Sequence, residues 1–136
     1  MIEDITTVAV DLAKDVFQIA YGDGQDRVLS RQRISSRRAF GLQLSQWRDV
    51  VVVMKSCATA HYWGRECQRL GLSVRLLPAQ HVGAYRRRNK TDAAEAEALL
   101  EANRNAQIKD VPVKNETQQW VMTVHALREG WNVAAD

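Results

Sequence analysis

Asp92 and Glu95 stand three residues apart in "RRRNKTDAAEAEALL" (residues 86–100), directly after Arg86, Arg87, Arg88 and Lys90. On a helix that spacing puts both carboxylates on one face, where they could share a cation. A third acid, Asp11, follows the β-branched run "ITTVAV" in "VAVDLAKD". Hard divalent ions take oxygen ligands and need several carboxylates to offset their charge, so these acids suit Mg2+ or Mn2+. An acid after a first strand, together with an acidic pair opening a late helix, is the arrangement of nucleases that hold two such ions about 3.5 to 4 Å apart. The adjoining basic run would hold the phosphates of a polyanion. Each feature also has a plainer reading. Acids in a helix's first turn gain about 0.3 to 1 kcal/mol from its dipole, an Asp after a strand caps a turn, and most charge runs are solvated surface.

The elements between these acids must bring the chain back to Asp11. Residues 5–10 and "VFQIAYG" (16–22) read as two strands, the second running into the turn "GDGQ", and "RVLSRQRIS" (27–35) alternates as a third antiparallel strand. Ser35 or Ser36 caps a helix over about 37–48. "VVVVM" (50–54) is a continuous apolar run of the kind found in strands covered on both faces. In "HYWGRECQRLG", Trp63, Cys67 and Leu70 recur at helical spacing before a stop at Gly71, and "SVRLL" is a short strand ending at Pro78. A helix follows from Thr91 to about Asn103; "DVPVKNETQQW" (110–120) then returns as a brief extended segment and starts a final helix through about Gly130. Three meandering strands followed by alternating helices and strands predict an α/β domain with a mixed sheet. Asp11 then lies just past the C-terminal end of the first strand, at the mouth of the open sheet.

Composition narrows the function. With 136 residues, 46% of them hydrophobic, the chain is long enough to bury one core. A formal charge of +3 suits a partner of nucleic acid, and the placement of that charge has to decide. Cys57 and Cys67 have neither zinc spacing nor a disulfide framework, which points to a reduced, cytoplasmic setting. The N-terminus lacks a basic n-region and no apolar run reaches membrane-spanning length, so no export signal, anchor or membrane partner is expected. His61 follows a strand end, where it could approach the cleft, and reads first as a packed helix-start residue; beside Cys57 it carries no local signature of a thiol nucleophile. Trp63, Trp120 and Trp131 read as core or interface anchors.

"VAVDLAKDVFQIA", "CATAHYWGRECQRLGLSVRLLPAQHVGAYRRRNKTDAAEAEAL" and "VPVKNETQQ" together resemble the N-terminal domain of the DEDD-type insertion-sequence transposases, the group that includes the Piv-type DNA invertases. The three blocks stand in the family's order and spacing, over nearly the whole chain. The resemblance implies an RNase H-like (RuvC-like) fold over residues 1–109, with 110–136 as an extended segment and the start of the family's helical linker. It implies a four-acid site for Mg2+ or Mn2+ acting in DNA transposition, with Asp11 as first acid, Asp92 as third and Glu95 in place of the usual Asp as fourth. Where the family carries its second acid, a Glu, this chain has Lys55, so impaired metal binding is expected. The implied partners are DNA, a structured guide RNA and a second copy through the C-terminal helix. The family continues into a second domain supplying a serine, so the chain reads as a truncated piece or the product of a decayed element, inactive by itself. Two other readings stay open: a nucleic-acid-binding module without chemistry, and an unrelated RNase H-like nuclease.

Overall fold

In the computed structural model, the described residues are 4–13, 16–83, 92–105 and 108–128, with the side chains of His81, Asp92, Ala93 and Ala94 outside the description. Five strands, β1 (Thr7–Leu12), β2 (Phe17–Gly22), β3 (Val28–Ile34), β4 (Val51–Lys55) and β5 (Ser73–Leu77), form one sheet in the order β3-β2-β1-β4-β5. The first three pair antiparallel, while β1–β4 and β4–β5 pair parallel. The helices are α1 (Arg37–Gln46), α2 (Ala58–Arg69), the short α3 (Ala79–Gly83), α4 (Asp92–Asn103) and α5 (Glu116–Arg128). This is the mixed α/β sheet of an RNase H-like fold. The residue pattern predicts every one of these elements except α3, which starts directly after Pro78.

Local chemistry explains the boundaries. Ser36 accepts the Ala39 N–H at 3.0 Å and so caps α1. Gly71 ends α2 with φ of +83°; its N–H bonds the Gln68 carbonyl while Leu72 N–H bonds that of Cys67, the paired pattern that a left-handed residue allows. Asn115 and Gln118 exchange side-chain and backbone bonds of 2.7 and 2.9 Å, a capping box that starts α5.

Strand alternation sorts the core into two faces. One carries Val8, Val10, Phe17, Ile19, Val52, Met54 and Leu76 under α1 and α2, where Phe17 and Phe40 stack at 4.3 Å and Trp63 meets Phe40 edge-on at 4.8 Å. The other carries the small Ala9 and Ala20 with Val53 and Leu77, under the Ala96, Leu99, Leu100 and Ala102 side of α4. Small sheet residues let that helix come close: a Cβ built on Gly22 would stand 3.0 Å from Leu100 Cδ2.

Among the described residues, the following polar ties hold α4 in place. Arg31 of β3 forms an ion pair with Glu97. Asn103 Nδ2 donates to Asp26 in the β2–β3 turn at 3.1 Å. Arg75 of β5 donates to the Asn103 carbonyl at 2.9 Å, to Asn103 Oδ1 at 2.7 Å and to the Ile108 carbonyl at 2.8 Å, and pairs with Asp110. A guanidinium on the last carbonyls of a helix satisfies orphan acceptors and complements the dipole. An apolar replacement leaves those acceptors unmet. Arg75→Met is therefore expected to lower stability by about 2 to 4 kcal/mol, read as a lower urea midpoint at unchanged slope.

Candidate functional site

β1 is held differently along its two edges. The antiparallel ladder with β2 runs on through Asp11 opposite Gln18 and Leu12 opposite Phe17, whereas the parallel ladder with β4 ends at Val10 opposite Met54. The sequence places Asp11 just past the strand; in the fold it lies inside β1, beyond its parallel pairing only. The hairpin with β2 supplies the extra hydrogen bonds. One position beyond Val10 and Met54 stand Asp11 and Lys55, on adjoining strands. Alternation puts Asp11 on the Ala9 face and Lys55 on the Val53 face, which is the α4 side in both cases.

The direction of α4 follows from its ties. Leu100 packs on Gly22, which is paired with Thr7 at the start of β1, and Asn103 reaches the β2–β3 turn beyond it. Glu97 pairs with Arg31, which stands opposite Ala20 and so level with Ala9. The helix thus runs antiparallel to β1. At about 1.5 Å per helical residue, Glu95 lies about 3 Å and Asp92 about 7.5 Å beyond Glu97 toward the far end. Asp11 lies about 6.6 Å beyond Ala9 in the same direction, at about 3.3 Å per strand residue. The backbone therefore brings the first turn of α4 to the rim that carries Asp11 and Lys55.

Glu95 is half-buried, one turn before the buried Leu99, and Asp11 is half-buried as well. Among the described residues there is no group of three or more His, Cys, Asp or Glu side chains close enough to hold a metal ion, a set that does not include the Asp92 side chain. Arg86, Arg87, Arg88 and Lys90 lie outside the described residues.

A family model described as a transposase, of the DEDD type and IS110 group, matches residues 8–131. The chain belongs to that family. It is 38% identical over 127 residues to a probable family 20 transposase of Pseudomonas aeruginosa, covering 92% of this chain and 37% of the relative. It is 32% identical over 127 residues to the transposase for insertion sequence element IS1111A of Coxiella burnetii, covering 93% of this chain and 35% of that protein. The transposase for insertion sequence element IS1328 of Yersinia enterocolitica is also 32% identical, over 130 residues, with 93% and 37% covered. The chain thus spans about a third of the length of the curated relatives it matches. None of the described helices is long and apolar enough to cross a membrane.

His61, which the sequence allows either at the cleft or in the core, is packed in this DEDD-family domain. It lies in α2 across the sheet from Asp11, 5% exposed, with Nδ1 accepting the Lys114 N–H at 3.0 Å. Nδ1 is thereby committed to the backbone and Nε2 faces Lys114 Nζ at 3.5 Å, so neither ring nitrogen is bonded to Cys57. Cys67 is no better a nucleophile, since burial pushes its thiol up to about 12. The His61–Lys114 bond, the bonds of Arg65 to the Lys114 carbonyl (2.7 Å) and Gln119 (2.9 Å), and Val113 packed against Gly64 fasten the segment before α5 to α2.

Burial, then the charges of Lys114 and Arg65, push the His61 pKa below the usual 6.5. As pH falls through about 6.5 the unfolded chain takes up a proton that the folded chain refuses, so stability drops on acidification. The melting temperature is expected to fall between about pH 7.5 and about pH 5.5. His61→Asn, which keeps an acceptor for the Lys114 N–H, should remove that part of the dependence.

Proposed function

We propose that this chain is the N-terminal RNase H-like domain of a DNA transposase of the IS110 type, a lineage of metal-dependent phosphodiester chemistry, and that Lys55 has disabled its metal site while contact with DNA remains. Residues 1–109 form the proposed catalytic domain and 110–136 the start of a helical linker. The observation that carries the reading is the antiparallel run of α4 against β1, which brings an acidic helix start to the rim bearing Asp11.

Asp11, Asp92 and Glu95 have the hard oxygen donors that Mg2+ or Mn2+ prefers. Lys55 has the opposite character. It stands on the same face of the next strand, about 4.8 Å away in backbone spacing. A unit positive charge about 4 Å from a cation costs about 4 kcal/mol per unit charge at an effective dielectric of about 20. The donor set as it stands does not fit a pair of divalent ions. That favours a nucleic-acid-binding domain without chemistry of its own.

The proposed partner is DNA, held in part by Arg86, Arg87, Arg88 and Lys90, with a structured guide RNA as the family's second polyanion. A second copy is the proposed partner of α5, whose Trp120 and Leu127 are 65% and 72% exposed.

Isothermal titration with Mn2+ should show no tight two-site binding by the chain with Lys55. Lys55→Glu should gain saturable binding and a Mn2+-dependent rise in melting temperature. Tight binding with Lys55 in place would contradict the reading. Neutralising Arg86, Arg87 and Arg88 together should flatten the salt dependence of DNA binding by about 0.9 in log–log slope for each phosphate that is no longer neutralised.

A further inference from the structure

Residues 27–48 hold six arginines, Arg27, Arg31, Arg33, Arg37, Arg38 and Arg48, and no acid. Four are engaged within the fold. Arg27 pairs with Asp23 at 2.8 Å and Arg31 with Glu97. Arg37 lies over the rings of Tyr62 and Trp63, at 5.6 and 5.3 Å from their centres. Arg48 donates to the carbonyls of Ser45 and Trp47 at 2.7 and 2.8 Å, behind the last turn of α1. Arg33 and Arg38 make no hydrogen bond or ion pair with a described residue, and both are exposed.

The sheet separates these two. Arg38 belongs to α1, on the face opposite α4. Arg33 stands opposite Gln18, and Gln18 stands opposite Asp11, so the three share one row across the rim. Alternation puts Arg33 on the same face as Arg31, whose pairing with Glu97 marks that face as the α4 side. The row thus reads Arg33, Gln18, Asp11, with Lys55 on the adjoining strand, and it opens at β3, the sheet edge. The guanidinium and amide at one end of this rim, with the Lys55 ammonium at the other, suit a phosphodiester backbone: Arg forks onto phosphate oxygens, Gln donates to them, and Lys55 offsets the charge of Asp11.

We infer that Arg33, with Gln18, is a DNA-phosphate contact that leads the strand from the Asp11 rim across β2 to the open edge of β3. The inference rests on the proposed DNA-binding reading and adds to it a path and a residue that stand apart from the basic run at 86–90. Two strand spacings put Arg33 about 10 Å from Asp11. Arg33 is a positioning residue here and takes no part in bond making.

The test uses the 136-residue chain and a short fluorescein-labelled DNA duplex of arbitrary sequence, with anisotropy followed across a salt series. Arg33→Gln should make the slope of log K against log[salt] shallower by about 0.9, the value of one phosphate contact. Arg33→Lys should restore it, and Arg38→Gln should leave it unchanged. The melting temperatures of all three should match the parent, because neither arginine bonds within the described fold. If the parent binds with a clear salt dependence and Arg33→Gln leaves the slope intact, the path is wrong while the DNA-binding reading stands. An equal change in Arg38→Gln overturns the path as well. If the parent shows no salt-dependent binding, the reading itself fails and takes the path with it. A parallel series on an RNA duplex of the same length separates the two backbones: a slope change confined to RNA would overturn the assignment to DNA.

Discussion

The close packing of α4 across β1 and β2 determines where the acidic start of that helix comes to rest. It depends on small side chains. Ala9 and Ala20 on the sheet and Ala96 and Ala102 on the helix are fully or almost fully buried, and Gly22 leaves room for Leu100 where a methyl would crowd it. Apolar contact alone would tolerate sliding or reversal of such a helix. Arg75, Arg31 and Asp26 remove that freedom by gripping the helix at its C-terminal end and along one side. The acidic N-terminal turn is then carried to the opposite end of the sheet, as a consequence of how the other end is held.

The two faces of the sheet divide the labour. The α1–α2 face is bulky and aromatic, and two of its polar groups do structural work: His61 is tied to Lys114 and Arg37 lies over Trp63. The α4 face is thin, and its rim keeps charge: Arg33, Asp11 and Lys55 follow one another across neighbouring strands. An ammonium in that row works against divalent cations and in favour of phosphates. On the proposed reading, the geometry that serves metal chemistry in the family's lineage becomes, in this chain, a rim that holds a polyanion.

Much of this is legible in the residues themselves. The β-branched run before Asp11, the "GDGQ" turn, the Ser36 cap and the Gly71 stop each carry a local physical signal, and each lies where that signal indicates. The mixed sheet follows from a continuous apolar run at 50–54 after a polar-alternating meander. What stays hidden is long-range. Nothing near Arg75 announces that it closes a helix ending 28 residues away. Arg33 reads as one arginine among six until strand register lines it up with Asp11, because register is fixed by the ladder and not by neighbours in sequence. Trp120 has the sequence character of a core or interface anchor; at 65% exposure it is outside the core of this chain.

The central claim is that the carboxylates of Asp11, Asp92 and Glu95 converge at one rim. Crystals of the Lys55→Glu variant grown with Mn2+, with diffraction recorded at the manganese absorption edge, test it most directly. Convergence predicts an anomalous peak lying between β1 and the first turn of α4, within bonding distance of oxygens from those residues. Carboxylates pointing into separate regions of solvent, with no peak between them, would contradict it.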